Sequence, residues 1–190
     1  MTTTERHSIA VGSGERVFAA GDNGLAWRVG HGIVRLDSIT PAGQVAFANL
    51  AISGDIVGCE AMLSGSYAFS ATALTQCELT PWPEGPAAVA GESLLKSLAT
   101  AQRRAADIVA LRGGQAIDRV TGLLRLLADR AGRVVLPARQ DMADITNLRF
   151  ETISRVIKGL ERSGVLAAIS IDGVRATRGY AVSFPGATAP

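Results

Sequence analysis

Few side chains in this 190-residue sequence are of the kinds that catalyse or ligate. There are two cysteines, Cys59 and Cys77, and two histidines, His7 and His31. The cysteines lie 18 positions apart, which suits neither a disulfide framework nor a zinc site. His7 falls in the terminal stretch and His31 sits between glycines in a turn, contexts unlike those of a haem or metal ligand. No Gly-x-Ser-x-Gly, His-Glu-x-x-His or P-loop is present, and Gly12-Ser-Gly-Glu is too short to cradle a nucleotide. The chain is therefore expected not to be an enzyme. What stands out is the trio Glu151, Ser154 and Arg155. Its i, i+3, i+4 spacing places a carboxylate, a hydroxyl and a guanidinium on one face of a helix, and Glu151 and Arg155 by themselves read as ordinary charges of a surface helix.

Charge is distributed unevenly along the chain. Residues 1–112 carry a net charge of −2 and residues 113–190 a net charge of +4, and 17 of the 19 basic residues are arginine, leaving only Lys96 and Lys158 as lysines. A basic C-terminal third on a slightly acidic body suits a phosphate-rich molecule. Hydrophobic residues make up 47% of the chain, enough for a core, and no apolar run approaches the roughly 18 residues that span a bilayer. The first residues lack the basic and apolar regions of a secretory signal. A soluble, cytoplasmic protein with no membrane partner is expected.

The elements that must position the trio follow from periodicity. Over residues 9–80, short apolar runs separated by Ala20-Gly-Asp-Asn-Gly, Thr40-Pro-Ala-Gly and Ser53-Gly-Asp read as strands of a small barrel, roll or jelly roll. From about Ala87 the period becomes helical: Leu94, Leu98, Ala101, Ala105 and Ile108 form a stripe, with Arg103 and Arg104 off it. That stripe is expected to be the seam of a homodimer. Gly113-Gly114 interrupts it as a hinge. Three further helical patterns follow, around Ile117–Leu127, from about Ala138 and over Ile153–Leu160. The last two, separated only by Thr146-Asn147-Leu148, read as a helix-turn-helix, and Asp172-Gly173 predicts a hairpin wing after them.

The segment from Arg139 to Leu166, with Glu151-Thr-Ile-Ser-Arg155 at its centre and Ser163-Gly164 ending its second helix, resembles the DNA-binding helix-turn-helix of the CRP/FNR superfamily. Ser53-Gly-Asp-Ile-Val-Gly resembles the glycine turn of that family's β-roll, Ile117-Asp-Arg-Val the start of the helix after its dimer helix, and Cys77-Glu-Leu a late strand of the roll. The resemblance implies an α+β chain of three parts: a sensor-like β-roll over 1–86, a dimerisation helix over 87–112 and a winged helix-turn-helix over 113–190. It implies a transcription regulator that binds double-stranded DNA as a homodimer, with RNA polymerase as a further partner.

Laid in the major groove, such a helix turns Glu151, Ser154 and Arg155 to the bases. Arg155 suits guanine O6 and N7, Glu151 accepts from cytosine N4, and Ser154 reaches a neighbouring edge. Arg149, Thr152 and Lys158, with Arg175 and Arg178 of the wing, are placed for phosphates. Two departures fall in the turn: Asn147 stands where the family has glycine, and Arg149 near a small capping hydroxyl. Asparagine tolerates positive φ, whereas arginine cannot cap. Phe150 occupies the position of a base-reading arginine in the cyclic-AMP receptor group, so the resemblance implies an FNR-like, TTGA-type half-site.

The effector region departs further. Tyr67 and Ala68 stand where the cyclic-AMP receptors have Arg-Ser, and Cys59 stands where their ribose-binding glutamate follows the glycine, with Glu60 one place later. An anionic phosphate would lack compensation there, so cyclic AMP is not expected. An iron–sulfur cluster is not expected either, since no N-terminal cysteine cluster exists. The expected cofactor set is none, with an unidentified small molecule near Cys59, Glu60 and Tyr67 as the open alternative. The rival functional class is a winged helix used for protein docking rather than DNA, and a weaker one a ligand-binding protein whose helix-turn-helix has decayed.

Overall fold

The computed structural model describes residues 7–83, 87–171, 174 and 178–183. The chain divides into two compact units, residues 1–106 and 107–190.

In the first unit, β1 (Ile9–Val11), β2 (Arg16–Phe18), β3 (Ala26–His31), β4 (Ile33–Ile39), β5 (Val45–Ile52), β6 (Ile56–Val57), the short α1 (Ala61–Ser64), β7 (Ser70–Ala73) and β8 (Cys77–Trp82) follow in order. They form two four-stranded antiparallel sheets, β1-β8-β3-β6 and β2-β7-β4-β5. Alternating side chains from both sheets, among them Val29, Leu79 and Cys77 of one and Val34, Ala71 and Ala73 of the other, meet in one core cluster. The turns work as the sequence predicts. Gly54 has φ 95°, and Asp55 closes the turn by accepting the Ile52 N–H on Oδ2 at 2.7 Å.

Helix α2 (Ala87–Ala110) packs its first turns on this roll. Leu94 and Ala90 join Ala26, Ile56 and Trp82. The remainder of the same face is polar. Ser93 Oγ accepts from Arg28 Nη2 at 2.7 Å, Ser97 Oγ from the Ile56 N–H at 2.8 Å and the Ala101 carbonyl from Asn49 Nδ2 at 3.4 Å. Arg104, one turn on, bonds Asp55 and the Leu50 carbonyl. The expected dimer seam therefore divides between two faces. Leu94 and Ala101 lie on the face packed against the protomer's own roll, and Ile108 is also buried, whereas Leu98 is exposed and Ala105 half-buried. The inward face escaped detection because Ser97 and Arg104 interrupt its apolar pattern, although both are buried. Among the described residues, the exposed large apolar side chains of α2 are Leu95, Leu98 and Val109.

The second unit holds α3 (Ala116–Leu127), β9 (Arg133–Val135), α4 (Arg139–Thr146), α5 (Phe150–Arg162), β10 (Leu166–Ala168) and β11 (Gly179–Val182), with the strands in the order β10-β11-β9. The three helices match the expected patterns. The wing sheet gains β9, a strand too short to carry a periodicity. Asp172-Gly173 and Arg175 lie outside the described residues.

Candidate nucleic-acid interface

Helix α5 is sharply two-faced. Ile153 and Ile157 have no exposed surface and Leu160 has 4%, which seats one side of the helix in the core of its unit. On the opposite side Phe150, Glu151, Arg155 and Lys158 are exposed, with Thr152 and Ser154 half-buried at its margins. The three expected base-reading residues thus share the outer face, and Arg149, exposed, precedes the helix as its N-cap residue. Arg149 makes no side-chain cap, as its chemistry requires. Its carbonyl instead accepts the N–H groups of Thr152 and Ile153 at 3.0 and 3.1 Å. Glu151 in the first turn and Arg162 in the last turn both complement the helix dipole.

The turn into α5 is held tightly. Asn147 is left-handed at φ 53°, ψ 47°, and its N–H bonds the Ala143 carbonyl. Thr146, fully buried, donates its hydroxyl to the Met142 carbonyl at 2.7 Å. Two arginines that the sequence reading did not single out satisfy carbonyls at the end of α4. Arg112 donates to Ile145 and Asp144 at 3.2 and 3.3 Å. Arg119 donates to Thr146 and Asn147 at 3.4 and 3.5 Å and to Gly114 at 3.0 Å. The sequence signal for Arg119 was present in Ile117-Asp-Arg-Val; none marked Arg112. At the other end of α5, the buried Tyr180 of β11 donates its hydroxyl to Glu161 at 2.7 Å, tying the helix to the wing. Burial, then the bond to Glu161 and its charge, push the Tyr180 phenol upward in pKa.

A cleft of about 300 Å³ opens beside the outer face, lined by Arg139 and Gln140 at the start of α4, by Phe150, and by Arg178, half-buried before β11. Arg178, one of the residues expected to contact phosphates, thus borders this cleft. Arg139 and Gln140 are additions that only the packing brings there.

Tyr67 is 5% exposed and stacks on Phe18 with ring centroids 3.9 Å apart. Its hydroxyl donates to the Leu25 carbonyl at 2.6 Å. Gly24 and Gly58 press on the ring: a Cβ on Gly24 would lie 2.1 Å from the Tyr67 hydroxyl oxygen and one on Gly58 2.6 Å from Cε1. A phenol packed in this way offers a phosphate no positive charge. The Ala68 N–H, a donor suited to an anion, bonds Glu60 Oε1 at 3.3 Å. Cys59, half-buried, packs against the Trp82 cluster, and burial followed by the charge of Glu60 pushes its thiol upward in pKa, away from thiolate chemistry. Cys77 is a core residue at 1% exposure. Among the described residues no group of three or more His, Cys, Asp or Glu side chains is arranged to hold a metal ion, and no helix is long and apolar enough to cross a membrane.

Comparisons with known proteins fit this arrangement. Residues 9–86 match the cyclic nucleotide-binding domain family. Over 174 residues the chain is 33% identical to the nitrogen fixation regulation protein FixK of Bradyrhizobium diazoefficiens, covering 83% of this chain and 73% of that protein. Among solved structures, a CRP-family transcriptional regulator from Thermus thermophilus superposes with a TM-score of 0.71 at 24% identity, over 92% of each chain. FixK2 from Bradyrhizobium japonicum does so with a TM-score of 0.69 at 22% identity, over 93% of this chain and 92% of that one.

Proposed function

Because this chain belongs to the CRP/FNR superfamily and is a DNA-binding transcription regulator, we propose that it acts as a homodimer on a palindromic site and needs no cyclic nucleotide to do so. The observation that carries the reading is the outer face of α5, where Glu151, Ser154 and Arg155 stand together on a helix whose other face is buried. In a two-fold dimer the two helices enter successive major grooves, with half-sites roughly 34 Å apart. Arg155 takes guanine, Glu151 takes cytosine N4 and Ser154 a neighbouring base, while Arg149, Thr152 and Lys158 hold phosphates. Arg139, Gln140 and Arg178 extend the phosphate contacts along the cleft.

The dimer seam is the exposed side of α2, with Leu95, Leu98 and Val109 as its apolar positions and Ala105 allowing close approach. The roll serves as a packed body for that helix. Its effector position is filled by Tyr67, which supports a regulator whose ligand-free form binds DNA. RNA polymerase is the further partner expected of a regulator of this type.

Fluorescence anisotropy of the ligand-free protein on a palindromic TTGA-type duplex and on a scrambled one, at several salt concentrations, tests the reading. The expected result is preference for the palindrome with affinity falling steeply as salt rises. Arg155→Ala should relax discrimination at one guanine by roughly 1–3 kcal/mol. Equal, salt-insensitive behaviour on both duplexes would favour a protein-docking winged helix instead.

A further inference from the structure

The chain leaves α4 through four consecutive carbonyls, and two arginines share them. Arg112 donates to those of Asp144 and Ile145, Arg119 to those of Thr146 and Asn147. Carbonyls at a helix end lack partners inside the helix and carry its partial negative charge, so a guanidinium is a matching donor. The two arginines stand on either side of Gly113-Gly114, the pair whose conformational freedom predicts a hinge. Both sides of the pair are thereby fastened to the same turn of the helix-turn-helix. Arg119 Nε also takes the Gly114 carbonyl itself, at 3.0 Å.

Arg112 is in turn continuous with the end of α2. The N–H groups of Leu111, Arg112 and Gly113 bond the carbonyls of Asp107, Val109 and Ala110 at 3.0, 3.1 and 3.3 Å, so the last turn of the helix runs unbroken into it. Leu111 adds a second hold. It lies over Gly122 of α3, where a Cβ would come 2.3 Å from Leu111 Cδ2. The end of α2, the glycine pair, α3 and the turn before α5 are joined as one block.

We infer that Arg112 is a positioning residue for DNA recognition, which closes the glycine hinge and so fixes the spacing of half-sites that the two recognition helices of a dimer accept. It acts through α4 and the turn into α5, not by touching DNA. This inference rests on the homodimeric DNA-binding reading and adds the residue that makes its geometry rigid.

The test varies that spacing. A preferred duplex is selected from a random-sequence pool, one base pair is then inserted or removed between its half-sites, and a duplex with a single half-site serves as reference. Each pair moves one half-site by about 3.4 Å and turns it by roughly 35°, so the wild type should bind the altered duplexes at least about tenfold more weakly. Arg112 is exposed, so Arg112→Ala leaves no cavity. That variant should bind all spacings within about threefold of one another, with affinity for the single half-site unchanged, because a freed hinge lets each helix follow its own groove. Arg112→Lys, which keeps a cationic donor, should restore part of the discrimination. A merely structural role would weaken binding to every duplex alike and keep the wild-type ratios. That result, or a wild type indifferent to spacing yet tighter on two half-sites than on one, would overturn the inference and leave the DNA-binding reading intact. Two half-sites bound no more tightly than one would overturn the dimer and the inference with it. Failure to select any sequence would overturn the DNA-binding reading as well.

Discussion

Arg104 and Asp55 form an ion pair inside the first unit, with side chains 4% and 6% exposed. The guanidinium of Arg104 also donates to the Leu50 carbonyl at 3.0 Å, and Asp55 Oδ2 also accepts the Ile52 N–H. One charge comes from the long helix and the other from the glycine turn of the roll, so this pair fixes where α2 lies on its own sheet. Removing one partner leaves the other charged and buried. Arg104→Met is expected to cost about 3–5 kcal/mol. Adding Asp55→Asn should recover part of that loss, a coupling that urea unfolding of the two single variants and the double variant measures.

Tyr67 is buried against Phe18 with its hydroxyl on the Leu25 carbonyl, which gives two linked expectations. Tyr67→Phe strands the Leu25 carbonyl and should lower stability by about 1 kcal/mol, and Tyr67→Ala, by leaving a cavity, by about 3–5 kcal/mol. Cyclic AMP added to the wild type should leave its melting temperature unchanged. A concentration-dependent rise would mean that a nucleotide binds the folded state.

Leu95 and Leu98, 70% and 50% exposed, are the apolar positions expected to close the dimer. Replacing both with glutamate should give a folded monomer in sedimentation equilibrium and abolish preference for the two-fold site. Leu94→Ala should instead destabilise the protomer, because that side chain packs on the Trp82 cluster.

Asn147 provides a conformational test. With φ at 53°, Asn147→Gly should be tolerated, whereas Asn147→Val should cost about 1–2 kcal/mol and loosen the turn that aims α5. Thermal unfolding and DNA affinity measured together check both halves of this statement.

Asp129 carries a pH dependence of defined sign. Slight burial acts to raise its pKa, but the N–H groups of Arg133 and Ala131 and the Arg133 guanidinium outweigh this and hold the carboxyl below its usual range. A carboxyl depressed in the folded state stabilises above the unfolded value, about 3.9, and that contribution is lost as pH falls through the folded value. Asp129→Asn should therefore lower the melting temperature near neutral pH, with the difference from wild type disappearing in acid.

Much of this protein was legible from short stretches of its sequence. The turns of the roll, the left-handed Asn147 and the two-faced pattern of α5 depend on backbone preferences and periodicities that act within a few residues, so local reading recovered them and the placing of Glu151, Ser154 and Arg155 on one side of that helix. What tertiary packing added depends on partners far apart in the chain. Arg104 reads as a surface charge until Asp55, 49 positions earlier, is brought against it. Ser97 and Arg104 accordingly hid the inward face of α2 and split the expected seam. Tyr67 reads as an absent phosphate ligand, and only the approach of Phe18, Gly24 and Gly58 makes its ring part of the core. Arg112 and Arg119 satisfy carbonyls at the end of α4 from outside that helix, and Arg139 meets Phe150 and Arg178 only across a folded cleft. A residue's preferred backbone is a local property, whereas the burial of a charge or a ring is set by whatever the rest of the chain packs against it.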